Sequence, residues 1–408
     1  MDQVEARKRN DAIVDQMKAA GTIRSPEVER AFRKVLRHPF LPEKTLEEVY
    51  VDDAVVTHQD PLSGMAISSS SQPSAMATML EWLQVRPGMK VLEIGAGTGY
   101  NAALLAELAG ETGQVWTLDV EAAFCEEARA HLRAAGCPRP QVVCADGWLG
   151  YPQAAPYDRI LVTAHADDIA PAWFDQLCEG GLLVMPWGPL SSTQFGITFR
   201  KEEGRLVQVE SSYLGFMAMR GVYGTRSRSE DTDGWIWEGR LTGEDAVRLS
   251  RLLAGPGWER ACPLPQNTAE MLPQLSLRFF IAVQTPRIVQ GMRPVKQTLR
   301  PLGQGSGTEA TETPPAEELQ IEMRFGLAEP AKGSACFLET GPPGKLIGWG
   351  DGALREEMED LIRQWIALGQ PGPERMRLVA YPPGSAPPPQ AGERLIPRRW
   401  FTYRVAWR

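Results

Sequence analysis

The sequence predicts an α/β protein, with a doubly wound, Rossmann-like sheet in its first half and an additional α+β domain at its C-terminal end. Three observations carry this expectation. From residue 85 onward, short apolar runs alternate with longer amphipathic stretches, the rhythm of parallel β-α-β units. A glycine-rich turn, Gly95-Ala-Gly-Thr-Gly99, directly follows the first of those runs. After about residue 222 the alternation stops, and separate strand-like and helix-like segments take over. A chain of 408 residues also exceeds what one hydrophobic core usually organises. Residues 1–222 are therefore one expected domain, and 223–408 an accessory second.

In chain order, residues 1–60 read as helices and loops. The opening "MDQVEARKRNDAIVDQMKAAG" is too charged for a signal peptide and reads as an amphipathic helix. Ser25-Pro26, with Glu27 and Glu29, starts another helix that "HPFLPE" closes. The run Ser68-Ser-Ser-Ser-Gln-Pro73 alone would suit a solvated turn. Pro73, however, fits a first helical position, and Met76, Met79, Leu80 and Leu83 share one face behind it. Strands are expected at Lys90–Ile94, Val115–Asp119, Val142–Ala145, Arg159–Thr163 and Leu182–Pro186, with helices at Tyr100–Leu108 and Ala122–Ala135 between them. The second half offers a helix at Thr242–Leu253 and a strand-like apolar run, "LSLRFFIAVQ". Residues 301–318, rich in Gly, Thr, Glu and Pro, read as a flexible loop. Strands "LQIEMRF", "ACFLET" and "LIGWG", a helix at Leu354–Ala367 and a closing strand "WFTYRVAW" complete the pattern.

Bulk properties narrow the function. Hydrophobic content of 43% with 23% charged residues describes a soluble globular chain. A net charge of -8 argues against nucleic-acid backbone binding, and no stretch reads as a membrane segment. The six cysteines are scattered without a CxxC pair, and four histidines leave little for a metal site. Reduced thiols in a cytoplasmic protein, with no metal, are expected.

The stretch "VLEIGAGTGYNAALLAEL" locates a cofactor site. Gly95, Gly97 and Gly99 lie in a strand-to-helix loop, where missing Cβ atoms let the backbone approach a ligand. The spacing G-x-G-x-G differs from the G-x-G-x-x-G of dinucleotide folds, which weighs against NAD. Glu93 sets a carboxylate beside the loop. Asp119 ends the next strand, where it can accept hydrogen bonds from ribose hydroxyls, and Asp146-Gly147 ends the third, in reach of an adenine amino group. Each aspartate alone could be a helix cap. Together, acids at the C-terminal ends of neighbouring strands point to S-adenosyl-L-methionine.

Read with "SSSQPSAMATMLEWL", "ADGWLG", "APYDRILVTA" and "QLCEGGLLVMPWG", this loop makes the chain resemble the protein-L-isoaspartate O-methyltransferases. The resemblance covers roughly residues 25–222, with "RHPFLPE", "VYVDDAVV" and "YLGFMAM" as weaker matches, and the C-terminal half falls outside the compact repair enzyme. It implies a Rossmann-like methyltransferase sheet and a role for Ser71, with neighbouring Ser70, beside the methyl-accepting carboxylate. Ser69 and Gln72 flank that position on the acceptor side. The glycine loop, Asp119 and Asp146 are implied as cofactor ligands. Two departures stand out: Ser69 and Ser74 replace the family's usual threonine and aromatic, and "VTHQDPLSGMAI" replaces a shorter loop. With the extra domain, these changes are similar to the methyltransferases associated with ribosomally synthesised modified peptides, which methylate an aspartate on the way to an aspartimide. General isoaspartate repair is the competing expectation, and a small-molecule methyltransferase or a non-catalytic binding protein are the others.

A carboxylate is already a nucleophile at neutral pH, so the site needs alignment and dryness rather than a strong base. Serine hydroxyls and N–H groups at a helix start supply donors for such an acceptor. No G-x-S-x-G elbow surrounds Ser71, which excludes a serine-hydrolase reading. His165, after "LVTA", is a candidate pocket residue against a locally packed loop histidine, and His58 a weaker one. The expected partner is a peptide or protein carrying aspartate or isoaspartate. The second domain would select it or form a homodimer, with Trp349, Trp365 and Trp400 either on that surface or in its core.

Overall fold

A computed structural model describes residues 3–59, 66–224, 229–230, 235–239, 241–262, 264–298, 317–340 and 344–408. It divides into two compact units, one made of residues 1–225 and 373–408, the other of 226–372.

The first unit opens with helices α1 (Gln3–Ala19), α2 (Pro26–Lys34) and α3 (Leu46–Val49). Ser25 caps α2 by accepting the Val28 N–H, with Pro26 in the first turn. Thr45 and Glu48 form a reciprocal capping box on α3. Strands β1 (Val55–Gln59) and β2 (Ala66–Ser70) then pair antiparallel, with Val56 opposite Ser69. Ser68–Ser70 are thus the end of a strand rather than a solvated turn. Helix α4 (Pro73–Leu83) begins at the expected proline and buries Met76, Met79, Leu80 and Leu83.

The doubly wound part follows as β3 (Lys90–Ile94), α5 (Tyr100–Ala109), β4 (Gln114–Asp119), α6 (Ala122–Ala134), β5 (Gln141–Cys144), β6 (Tyr157–Val162), α7 (Pro171–Gln176) and β7 (Leu177–Trp187). β5, β4, β3, β6 and β7 lie side by side in parallel. Val91, Leu92, Leu118, Ile160, Leu161 and Val184 are almost wholly buried, because helices cover both faces of a parallel sheet. Each such side chain contributes about 1.5–3 kcal/mol on leaving water. Antiparallel β8 (Phe195–Glu202) and β9 (Arg205–Ser212) extend the sheet beyond β7.

The second unit holds β10 (Ser229–Glu230), β11 (Ile236–Gly239), α8 (Gly243–Leu253), β12 (Trp258–Ala261), α9 (Met271–Gln284), β13 (Ile288–Thr298), β14 (Glu317–Glu329), β15 (Ser334–Glu339), β16 (Lys345–Trp349) and α10 (Ala353–Ala367). Its sheet is antiparallel throughout, in the order β10-β11-β13-β14-β15-β16-β12. "LSLRFFIAVQ" is helical, in α9, and not a strand. Ser276, Leu277, Phe279, Phe280, Ile281, Ala282 and Val283 are all buried, and an apolar run without a period suits a helix enclosed on every side. Of the expected loop at 301–318, residues 301–316 lie outside the described residues, while 317 and 318 begin β14.

The chain then returns to the first unit through β17 (Met376–Tyr381), β18 (Glu393–Pro397) and β19 (Thr402–Trp407). β17 pairs with β9 through Val379 opposite Val207 and Ala380 opposite Leu206, completing a ten-stranded sheet. This departs from the assignment of all of 223–408 to an accessory domain. A buried acid, Asp168, ties the returning strand down: it accepts the Tyr403 hydroxyl at 2.5 Å, the Trp400 N–H at 2.7 Å and the Ile169 N–H at 2.9 Å. Burial pushes its carboxyl up to about 6. Trp400 packs on Trp148 and Tyr223 in this unit, so it is no part of a second-domain surface. Trp365 and Trp349 are core residues of the second unit, their indole N–H groups donating to Ser276 Oγ and the Gly255 carbonyl. Among the described residues no helix is long and apolar enough to cross a membrane, no acid, histidine and cysteine cluster could hold a metal, and the six cysteines are free thiols.

Candidate active site

Strand order turns at β3, whose neighbours β4 and β6 are reached by connections running to opposite sides. Such a switch point leaves a crevice beyond the C-terminal strand ends. A cavity of about 580 Å³ lies there. Its walls are Ser68–Gln72 at the end of β2, Glu93–Thr98 after β3, Asp119 at the end of β4, Gly147, Thr163 after β6, and the 213–220 segment. Two sequence motifs twenty-odd residues apart thus share one wall. A side chain at Gly97 would begin 3.8 Å from the Ser69 carbonyl.

Gly95 has φ +103°, and a Cβ there would lie 2.4 Å from Thr163 Oγ1. Thr163 Oγ1 lies 3.0 Å from both the Ile94 and the Gly95 carbonyls, so the hydroxyl ties the end of β6 to the turn after β3. Only glycine fits this position. Asp119 then organises the loop from the neighbouring strand. Its Oδ2 accepts the Gly97 N–H at 3.1 Å and its Oδ1 the Glu121 N–H at 3.2 Å. Carboxylate lone pairs remain for a hydroxylated ligand.

Glu93 is fully buried on the cavity wall and accepts the Asn101 amide N–H at 2.6 Å. Burial pushes its carboxyl up to about 7, with the nearby Asp119 charge adding to the shift and the Asn101 hydrogen bond opposing it.

The serine segment is held from behind. Ser70 is buried, and its carbonyl accepts the Arg37 guanidinium at 3.1 Å, as the Ser71 carbonyl does at 3.0 Å. Gln72 lines the cavity, but its amide nitrogen donates to the Asp52 carbonyl at 3.0 Å. Asp52 Oδ1 accepts the Ser74 N–H at 2.9 Å, so a distant aspartate satisfies the first turn of α4.

Of the residues expected here, the structure brings Ser69, Ser70, Ser71, Gln72, Glu93, Gly95, Gly97, Asp119 and Gly147 onto one cavity. Three fall elsewhere. Gly99 is the N-cap of α5, behind the cavity wall. Asp146 also lies behind the wall: its carboxylate accepts the Trp148 and Val222 N–H groups. His165 is fully buried, its Nε2 3.0 Å from the Gly188 carbonyl and its backbone bridged to Ala218, so it holds the 213–220 segment in place rather than facing the cavity. His58 pairs with Glu127 at 3.3 Å and packs on Phe124, a wall residue.

Other wall residues carried no signal as single residues in the sequence. Arg220 sets its guanidinium over Phe124, 2.7 Å from Glu121 and 4.0 Å from Asp119. Gln194 clamps Phe216, donating to its carbonyl at 2.7 Å and accepting its N–H at 2.9 Å. "YLGFMAM" marked the segment, though not what its residues do.

The sequence profile of the family described as "Protein-L-isoaspartate(D-aspartate) O-methyltransferase (PCMT)" matches residues 8–221. A protein-L-isoaspartate O-methyltransferase of Methanopyrus kandleri is 37% identical over 219 residues, spanning 53% of this chain and 94% of the relative. Protein-L-isoaspartate O-methyltransferase 2 of Archaeoglobus fulgidus is 40% identical over 205 residues, 50% of this chain and 89% of the relative. A solved protein-L-isoaspartate O-methyltransferase superposes with a TM-score of 0.51 at 26% identity, covering 91% of this chain and 96% of its own. With 91% of this chain covered, the similarity extends past residue 222, so an extra region there does not by itself set this chain apart from proteins of that name. This S-adenosylmethionine-dependent carboxyl O-methyltransferase belongs to the protein-L-isoaspartate(D-aspartate) O-methyltransferase family.

Proposed function

We propose that the protein methylates the free carboxylate of isoaspartyl residues in peptides or proteins, the reading associated with repair. The observation that carries it is one cavity lined together by the serine segment and by the glycine loop with Asp119. The near-complete coverage of the solved isoaspartate methyltransferase supports this over aspartimide-forming tailoring of a dedicated peptide.

The wall residues fit S-adenosyl-L-methionine. Backbone at Gly95 and Gly97 lines the cavity with no Cβ in the way, Asp119 offers acceptor lone pairs for ribose hydroxyls, and the buried Glu93 carboxyl is one that a bound sulfonium or ammonium group would favour in its ionised form. Gly147 would line the part of the cavity that takes the base, with Asp146 holding its turn. When bound, the cofactor supplies an electrophilic methyl group on a sulfonium sulfur.

The chain's own residues orient and dry the acceptor. An isoaspartyl carboxylate is ionised at neutral pH and needs no base. The Ser71 hydroxyl donates to one carboxylate oxygen and leaves the other to react. Met219 and Phe124, both buried wall residues, exclude water around it. Alignment of this kind supplies up to about 7–11 kcal/mol of a barrier. Mass spectrometry of an isoaspartyl peptide after incubation with the protein and cofactor is the test: a base-labile methyl ester on that carboxyl is expected, and methylation only of small molecules would reject the reading.

A further inference from the structure

We infer that Arg37 is a positioning residue for the acceptor carboxylate. It works by aiming two backbone N–H groups of the serine segment and placing a fixed positive charge behind them. The inference rests on the carboxyl-methylation reading above and adds to it a residue that never touches the acceptor.

Arg37 lies between α2 and the following turn and is only 1% exposed. Its guanidinium donates to the carbonyls of Val49 (2.9 Å), Val51 (3.2 Å), Asp53 (3.3 Å), Ser70 (3.1 Å) and Ser71 (3.0 Å). Two further contacts, both 3.4 Å, reach Ser70 Oγ. Among the described residues no carboxylate pairs with it within ion-pair distance. A buried cation is expensive unless compensated, and here carbonyl dipoles do the compensating. Asp52 and Asp53 act on the charge from beyond contact distance, and a further anion nearby would feel it in the same way.

Geometry turns this into a function. In a trans peptide the C=O and N–H point opposite ways. Holding the Ser70 and Ser71 carbonyls against Arg37 forces the N–H groups of Ser71 and Gln72 to point away from it. Both residues line the cavity. Gln72's side chain is anchored on the Asp52 carbonyl, and its backbone N–H is the donor whose direction Arg37 sets. Two aimed N–H groups with a cation behind them favour a carboxylate over an amide of the same shape. A lysine could supply the charge, but not the two-ended fork in which Nη1 is fixed on the Val49 and Val51 carbonyls while Nη2 takes the Ser70 and Ser71 carbonyls.

The test compares Arg37→Lys and Arg37→Met in the full chain, using an isoaspartyl peptide as acceptor and S-adenosylhomocysteine as the cofactor probe. KM for the peptide should rise about tenfold in R37K and about a hundredfold in R37M, as charge-assisted contacts are weakened and then lost. Affinity for S-adenosylhomocysteine by calorimetry should stay within about twofold, with kcat falling less than KM rises. Wild-type KM in folded R37K overturns the inference. So does a loss of cofactor affinity in step with KM, which is the mark of a plain structural prop. Where R37M does not fold, R37K alone is read by the same criteria. A wild-type protein that leaves the peptide unmethylated brings down the activity reading itself, whereas active wild type with indifferent variants brings down only Arg37.

Discussion

Replacing Gly95 by alanine should damage the cofactor loop through two separable effects. The first is conformational: φ +103° is a backbone region that L residues rarely occupy, at a cost of roughly 1–3 kcal/mol. The second is steric, because the new Cβ would meet Thr163 Oγ1 at 2.4 Å. Threonine is β-branched, so two of its three rotamers keep a heavy atom in that contact, and the third gives up the hydroxyl's contacts with the Ile94 and Gly95 carbonyls. The single hydroxyl hydrogen is shared between those two carbonyls, and losing it costs about 1 kcal/mol. Thr163→Ala removes the obstructing hydroxyl, leaving Thr163 Cβ at 3.7 Å, so a double-mutant cycle isolates the steric part. Calorimetric binding of S-adenosylhomocysteine suits the measurement better than unfolding, since two compact units need not melt together. G95A should bind roughly 30- to 100-fold more weakly than wild type, while adding it to T163A should cost only about tenfold. An equal penalty in both backgrounds would show that the contact with Thr163 does not constrain the loop. Normal binding by G95A would refute the whole argument.

Three further outcomes are expected. Asp119→Ala should weaken S-adenosylhomocysteine binding by roughly 1.5–3 kcal/mol per lost charge-assisted bond, and unchanged affinity of the folded variant would remove Asp119 from the cofactor site. Ser71→Ala should keep cofactor affinity but lower kcat/KM for the acceptor by about tenfold or more; wild-type turnover would leave Ser71 a turn residue only. Glu93 supplies a pH dependence. Its folded carboxyl, at about 7, lies above the ordinary 4.5, so its contribution to stability is present below pH 4.5 and lost as pH rises through 7. Without added cofactor, wild type should therefore lose about 3 kcal/mol across that window from this group. Glu93→Gln should flatten the loss, and parallel stability–pH curves for the two proteins would contradict the assignment.

The doubly wound half was legible because strands buried on both faces show as continuous apolar runs, and "VLEIG" and "VWTLD" have no other plausible fate. The acids at strand ends were legible for a similar reason, since a strand's end fixes where its last side chain lies. What escaped depends on pairing across the chain. "WFTYRVAW" is a strand as read, but its partner strand meets β9, and nothing local in Val379 or Val207 announces that pairing. A chain cut near residue 222 would therefore lose three strands of the first sheet. "LSLRFFIAVQ" was misread because burial on all sides erases the helical period. Asp146 and His165 show the converse: residue type and spacing suggested ligands, while backbone groups from the 213–222 segment took up or bridged them. Arg37 gave no warning, since one arginine after a helix looks like any solvated charge.

Methyl transfer to an isoaspartyl carboxylate in the serine-walled cavity is the proposed reaction on which the other outcomes depend. The most direct measurement uses three peptides of one sequence, bearing isoaspartate, aspartate or asparagine at a single position, incubated with the full chain and labelled S-adenosylmethionine. Base-labile label is expected on the isoaspartyl peptide, with kcat/KM above that for the aspartyl isomer and none for the asparagine peptide. Label on the asparagine peptide, or on neither acid while the cofactor is bound, would contradict it.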